Sequence, residues 1–309
     1  MKRIPMTKIS TPRICIFGPG VVGYATGKAL VEKKFKVGFI GRSQDKIRKL
    51  RDEGYWAYTF ETFPDHSFDF DISFLTIATP TIKGKIQLQG IKQVARFIGE
   101  RLTMTNNYHV IVVKSTVVPG TTENIVIPLL EKYSGKKVGK DFGVCMNPEY
   151  LREKTAVEDS RKPWMVLIGE YDKKSGDLLA KVWKKFKCPI YRCSIKEAEM
   201  QKYVHNLYNA VKIAFFNEVR VIARSMKADA DTIFKYTALS CEGIWNPNYG
   251  LKDFGPYSGS CLPKDTQAFH EFSRKNHFHD DVLKATIKAN TRLLSAKGKT
   301  EKEVLGTSL

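Results

Sequence analysis

The residues best equipped for covalent chemistry lie in Gly255-Pro256-Tyr257-Ser258-Gly259-Ser260-Cys261-Leu262-Pro263-Lys264-Asp265. A thiol follows a turn of small residues, and a cation and a carboxylate follow the thiol. A nearby ammonium favours thiolate over thiol, and Asp265 can hold or deprotonate a water for a later hydrolytic step. The competing reading is a cysteine that only packs in a tight turn. Upstream, Lys202 and Asn206 stand four apart in a tract without proline or glycine, so with Glu199 they share a helical face. Plain solvation of that face is the alternative.

A second constellation suits phosphate rather than carbon. The apolar run Arg13-Ile14-Cys15-Ile16-Phe17 ends in Gly18-Pro19-Gly20-Val21-Val22-Gly23, and Tyr24 to Glu32 reads as a helix. Strand, GxGxxG and helix in that order form the dinucleotide fingerprint: Gly18 makes the tight turn, Gly20 lets backbone approach a pyrophosphate, and Gly23 lets helix pack on strand. The phosphates then sit at the helix start, on Val21 and Val22. After the second strand, Lys36 to Ile40, the usual place of a ribose-binding carboxylate reads Gly41-Arg42-Ser43. Arginine and serine can bind a 2′-phosphate, so NADP is accepted on one reading; on the other, Arg42 stacks on the adenine of NAD.

These groups need a frame. Strand-like runs at Ile72 to Ile77, Val110 to Val113, Phe142 to Cys145 and Trp164 to Ile168 alternate with helical periods at Leu88 to Leu102 and Thr122 to Lys132. That alternation predicts a Rossmann-like, doubly wound parallel α/β sheet. Three of the strands run into Thr79-Pro80, Lys114-Ser115-Thr116 and Asn147-Pro148-Glu149, at the carboxyl ends where ligands of such sheets collect. From Lys196 the pattern turns to long helices, Glu197 to Ser225 and then Glu271 to Leu294, with a polar, frayed tail from Ser295. The division expected is a dinucleotide-binding domain over residues 1–194 and an all-helical central domain over 195–309 that carries the cysteine loop. The apolar stripe of the long helix (Tyr203, Leu207, Val211, Phe215) suggests a homodimer.

The totals agree with this frame. A chain of 309 residues fits about two domains. It has no apolar run long enough to cross a bilayer and no secretory signal at its basic start. The six cysteines (15, 145, 188, 193, 241 and 261) form no CxxC pair and no zinc-ligand spacing, which points to no metal and to a reduced, cytoplasmic protein. The formal charge of +19 reads first as a solvated basic surface, next as an attractor of anionic small molecules. Nucleic acid is an unlikely partner because no recognition module accompanies the charge.

In sequence order, the glycine fingerprint, Thr79-Pro80, Lys114-Ser115-Thr116-Val117 with Pro119-Gly120-Thr121, Asn147-Pro148-Glu149-Tyr150-Leu151-Arg152-Glu153, Ala198-Glu199 with Lys202-Tyr203 and Asn206, Asn217-Glu218, and Gly259 to Asp265 resemble the UDP-glucose/GDP-mannose dehydrogenase family. The resemblance covers most of residues 13–292. It implies a four-electron oxidation of the C6 alcohol of a nucleotide sugar to a carboxylate, with two dinucleotides, NAD or NADP, used in turn. Cys261 then attacks the intermediate aldehyde to give a thiohemiacetal and, after the second oxidation, a thioester. Lys202 and Asn206 stabilise the negative oxygen, an effect of roughly 3 to 4 kcal/mol per donor. Asp265 serves as base or water-holder, and Glu149 and Glu153, through Thr116 or a water, assist hydrolysis. Thr79, Thr116, Arg42 and Lys264 join the cofactor contacts.

The chain departs from the family pattern at Gly41, in the short stretch from Leu50 to Phe70, and in lacking an arginine near Cys241-Glu242-Gly243-Ile244-Trp245. It also reaches Leu309 before the family's second α/β domain, which grips the nucleotide. UDP-glucose is the default substrate, and GDP-mannose is the alternative, supported by Gly169 to Asp172 and Ser175 to Asp177. A different class is a non-catalytic dinucleotide-binding remnant; a further possibility is a partner chain that supplies the nucleotide domain.

Overall fold

The computed structural model describes residues 11–64, 68–251, 255–259 and 261–295. The tail expected to fray beyond Ser295 lies outside them, as does Ser260 of the cysteine loop. The described chain divides into two compact units between His205 and Asn206.

The first unit is built on β1 (Arg13–Phe17), α1 (Val21–Glu32), β2 (Lys36–Gly41), α2 (Gln44–Asp52), β3 (Trp56–Thr59) and β4 (Ile72–Leu75). A small hairpin follows, β5 (Thr81–Ile82) and β6 (Lys85–Ile86), then α3 (Gln89–Leu102), β7 (His109–Val113), α4 (Ile127–Ser134) and β8 (Phe142–Met146). The unit continues with α5 (Ala156–Arg161), β9 (Val166–Glu170), α6 (Lys173–Trp183), β10 (Ile190–Ser194) and the start of α7 (Ile195–Ser225). Among the described residues the main sheet has eight strands in the order β10-β9-β8-β7-β4-β1-β2-β3.

Both faces of the sheet are covered, so the central strands are apolar throughout rather than alternating; every residue of β7 and β8 is buried. On one face Phe17, Leu75, Ile111 and Val113 pack with Ile91, Val94, Ile98 and Leu102 of α3, which recur at helical spacing. On the other, Ile14, Ile16 and Phe74 pack with Leu30 of α1, Ile47 of α2 and Leu179 of α6. Each such side chain contributes about 1.5–3 kcal/mol on burial. Helices on both faces make the sheet doubly wound.

Three expectations need correction. The sheet is parallel except at one junction: β9 pairs antiparallel with β8, and β10 is parallel to β9. The link from β8 to β9 holds only the short α5 and a 3-10 turn at Glu153–Thr155, so the chain returns from the end it left instead of crossing the sheet. Second, α1 begins at Val21, so the last residues of the fingerprint are already helical. Third, the tract from Glu271 to Leu294 is two helices in the second unit.

That unit holds the rest of α7, α8 (Ala230–Ser240), α9 (Glu242–Trp245), α10 (Leu262–Lys275) and α11 (Asp281–Ser295). The break after α10 occurs because His277 adopts a left-handed conformation at φ 56°. Phe278 N–H then reaches back to Ser273 O at 2.9 Å and closes the helix end. α10 begins immediately after Cys261, with Pro263 in its first turn, where a missing N–H costs nothing.

Candidate active site

The glycine turn hangs between the ends of β1, β2 and β4. Gly18 N–H donates to Ile40 O at 2.8 Å, and the Thr76 hydroxyl, just past β4, lies 2.8 Å from both Phe17 O and Gly18 O. Gly18 sits at φ +90°, a region that favours glycine. A Cβ on Gly23 would lie 2.3 Å from Gly18 O and 2.4 Å from Thr76 Oγ1, so α1 can approach the turn only with glycine there. Around Gly20 a Cβ would meet nothing within 4 Å, which leaves backbone open toward the cleft at the start of a 12-residue helix. Unpaired N–H groups of a helix first turn and the dipole behind them suit a pyrophosphate.

The cleft beside this turn has a volume of about 820 Å³. Of the residues expected at the cofactor, Gly18, Gly20, Val21, Val22, Arg42, Thr79 and Thr116 line it, together with Glu149. Gly23 is buried under the turn. The ends of β4 and β7 are laced together at its floor: Thr79 Oγ1 donates to Thr116 O at 2.7 Å, and Ser115 Oγ to Ile77 O at 2.7 Å. Phe60, Phe97 and Arg96 also line the cleft and carried no sequence signal, since nothing in their spacing links them to the fingerprint.

Of the residues that line the cleft, Glu149 has its Oε1 3.0 Å from Lys202 Nζ, and the lysine side chain is buried. Glu149 also accepts from Leu151 N–H at 2.7 Å. A second buried lysine, Lys114, stands close by and donates to Asn147 Oδ1 at 3.1 Å; burial brings its pKa down to about 8, with the Glu149 carboxylate opposing that shift. Glu199, one turn before Lys202 on α7, is fully buried and accepts from Gly120 N–H and from Thr122 N–H, the latter at 2.8 Å. It holds the loop after Lys114-Ser115-Thr116 against α7, and burial pushes its carboxyl pKa up.

The remaining candidates are placed differently. Glu153 is exposed on its 3-10 turn and is not among the residues lining the cleft. Its neighbour Arg152 pairs with the buried Asp159 at 2.6 Å and braces the loop after Glu149. In the second unit, Asn206 is exposed on α7, Cys261 caps α10, and Lys264 and Asp265 form an exposed ion pair with each other. Asp265 N–H donates to Cys261 O at 2.8 Å, the first bond of that helix.

The family models of the UDP-glucose/GDP-mannose dehydrogenases match this chain twice, the NAD binding domain over residues 55–187 and the central domain over residues 196–292. A UDP-glucose 6-dehydrogenase of Haloferax volcanii is 30% identical over 300 residues, 90% of this chain and 69% of that protein. The chain belongs to the UDP-glucose/GDP-mannose dehydrogenase family. A GDP-mannose 6-dehydrogenase of Pseudomonas syringae pv. tomato is 41% identical over 226 residues, 72% of this chain. That alignment spans only half of the relative's length. The crystal structure of a ternary complex of GDP-mannose dehydrogenase from Pseudomonas aeruginosa superposes with a TM-score of 0.87 at 32% identity, covering 96% of this chain and 71% of that one. The NAD-binding match begins beyond the glycine turn, so the fit of the turn to a dinucleotide rests on its own geometry: the open backbone at Gly20, the helix start behind it and the cleft alongside. Among the described residues no helix is long and apolar enough to cross a membrane.

Proposed function

We propose that this dehydrogenase-family chain carries the catalytic machinery of a nucleotide-sugar 6-dehydrogenase, which oxidises a C6 alcohol to a carboxylate with NAD or NADP. The observation that carries the reading is the buried Lys202 paired with Glu149, a residue that lines the dinucleotide cleft. A buried ammonium is costly unless paired, and Glu149 supplies that pairing here; the Lys202 ammonium then stands ready to stabilise oxygen that becomes negative during alcohol oxidation. When bound, the nicotinamide accepts hydride. Cys261, at the positive end of the α10 dipole, attacks the aldehyde, and Asn206 adds an amide donor to Lys202. Glu149 holds the water that hydrolyses the thioester, with Thr116 beside it in the cleft and Asp265 as proton acceptor. For Glu153 and Lys264 the family resemblance alone supports roles, in hydrolysis and at the cofactor respectively. Such thiol chemistry belongs in a reducing compartment, the cytoplasm.

GDP-mannose ranks ahead of UDP-glucose as the first substrate to test, because the 41% relative and the structure at TM-score 0.87 carry that name while the UDP-glucose enzyme is 30% identical. The exposed Leu207, Val211 and Phe215 of α7 suit a second copy of the chain. The test is incubation of the purified protein with each sugar nucleotide and dinucleotide, read at 340 nm. Two reduced dinucleotides per acid are expected, with no acid from Cys261→Ser. Acid formation undiminished in Cys261→Ser overturns the mechanism, and turnover only after a second polypeptide is added favours a split enzyme.

A further inference from the structure

The outer corner of the cleft is rich in cations where this kind of fold ordinarily places a carboxylate, and we infer that it is a subsite for the 2′-phosphate of NADP, with Pro19 as the residue that excludes a carboxylate from it. The inference rests on the reading of the cleft as a dinucleotide site, and its test reads binding instead of turnover.

In dinucleotide folds the residue at the end of the second strand meets the adenosine ribose. A carboxylate there binds the 2′-hydroxyl and repels a 2′-phosphate. Here β2 ends at Gly41, which is buried, and a Cβ built on it would lie 2.7 Å from Pro19 Cδ and 3.0 Å from Pro19 Cγ. These are ring atoms and cannot rotate aside. The ring itself is held, because Gly18 N–H donates to Ile40 O at 2.8 Å and Gly20 N–H to Gly18 O at 2.8 Å. The middle of the glycine turn and the end of β2 therefore interlock, and any side chain at position 41 must push the pyrophosphate turn out of place.

With position 41 bare, the next side chains along the chain are Arg42 and Ser43, followed within the first turn of α2 by Lys46. All three are exposed and line the same cleft as Gly20 and Val21. Ser43 caps α2 by accepting from Lys46 N–H at 3.4 Å, which leaves its own hydroxyl proton to donate. Asp45, the acidic residue of that turn, is engaged with Arg48 at 2.8 Å. The exposed Glu61 also lines the cleft, and its own N–H and the Thr59 hydroxyl hold its carboxyl pKa down, so it stays charged and is outnumbered there by Arg42 and Lys46. A guanidinium, an ammonium, a hydroxyl and a helix start together match a phosphate dianion, and the guanidinium can bind it through two parallel bonds.

The experiment titrates the purified protein with NADPH and NADH by fluorescence, with adenosine 2′,5′-bisphosphate and 5′-AMP as competitors. Wild-type protein is expected to bind the bisphosphate at least about tenfold more tightly than 5′-AMP. Arg42→Ala with Lys46→Ala, both at exposed positions, removes most of that preference and leaves the melting temperature unchanged. Gly41→Asp alone weakens both dinucleotides, whereas Gly41→Asp with Pro19→Ala recovers NADH and not NADPH. Equal binding of the two competitors by the wild type overturns the inference, as does NADH binding by Gly41→Asp alone that matches the double variant. Failure of both dinucleotides and of 5′-AMP to bind overturns the dinucleotide reading itself.

Discussion

His109 makes stability a function of pH, and the size of the effect follows from its surroundings. The ring opens β7 at 1% exposure, with Nδ1 2.8 Å from Phe70 O and Nε2 2.9 Å from Ser73 Oγ. A carbonyl only accepts, so Nδ1 carries the proton and Nε2 accepts from the serine hydroxyl; the neutral ring is satisfied on both sides. Burial brings its pKa down from 6.5 to about 4, against weaker opposing contributions from the Phe70 carbonyl and Asp71. Below pH 6.5 the unfolded chain takes up a proton that the folded chain refuses, so stability is complete above that pH and falls as the medium is acidified. Each pH unit costs about 1.4 kcal/mol, and the loss reaches about 3 kcal/mol by pH 4. Urea unfolding at intervals from pH 7 to pH 4 measures it, with His109→Gln as the comparison because glutamine keeps hydrogen-bonding groups without titrating. Other carboxylates contribute to the acid limb of both proteins, so the difference between them is the quantity of interest. If the two proteins lose stability in parallel between pH 6.5 and pH 4, the assignment of a buried neutral ring is wrong.

Gly23→Ala places a methyl against Gly18 O and Thr76 Oγ1, so it should cost about 1–3 kcal/mol in urea unfolding and weaken NADH binding, because α1 must back away from the turn. Glu199→Ala strips Gly120 and Thr122 N–H of their acceptor in a buried place; a loss of about 2–3 kcal/mol is expected by the same measurement, while an unchanged midpoint would remove Glu199 as the latch of that loop. Lys202→Ala should lower kcat by about 10²-fold or more with the reduced dinucleotide still bound, measured in the 340 nm assay alongside fluorescence titration.

Much of this protein is legible from spacing alone. The run Ile14 to Phe17 followed by three glycines at fixed offsets declares a strand, a turn and a helix, because each glycine answers a local steric demand. The buried strands β7 and β8 show as unbroken apolar runs, since both of their faces are covered. The ordered motifs from Thr79 to Asp265 mark the family to which the chain belongs. The short strand β3 and the edge strand β10 escaped, because Trp56–Thr59 is brief and β10 carries exposed Tyr191 and Arg192 on a margin where no apolar period is required. The break at His277 escaped as well, since a left-handed histidine has no composition signature.

Contacts between distant segments were beyond any local reading. Pro19 against Gly41, Thr76 clasping Gly18, and Glu199 reaching Gly120 each join residues that sequence distance keeps apart. The residue types suited to bind a dinucleotide and to oxidise an alcohol were written in the order of the chain, because turns, helix starts and nucleophiles depend on neighbours. Which lysine is buried against which carboxylate, and which side chain position 41 can hold, were decided only when the sheet brought its strand ends together, because packing is a property of surfaces that meet in three dimensions.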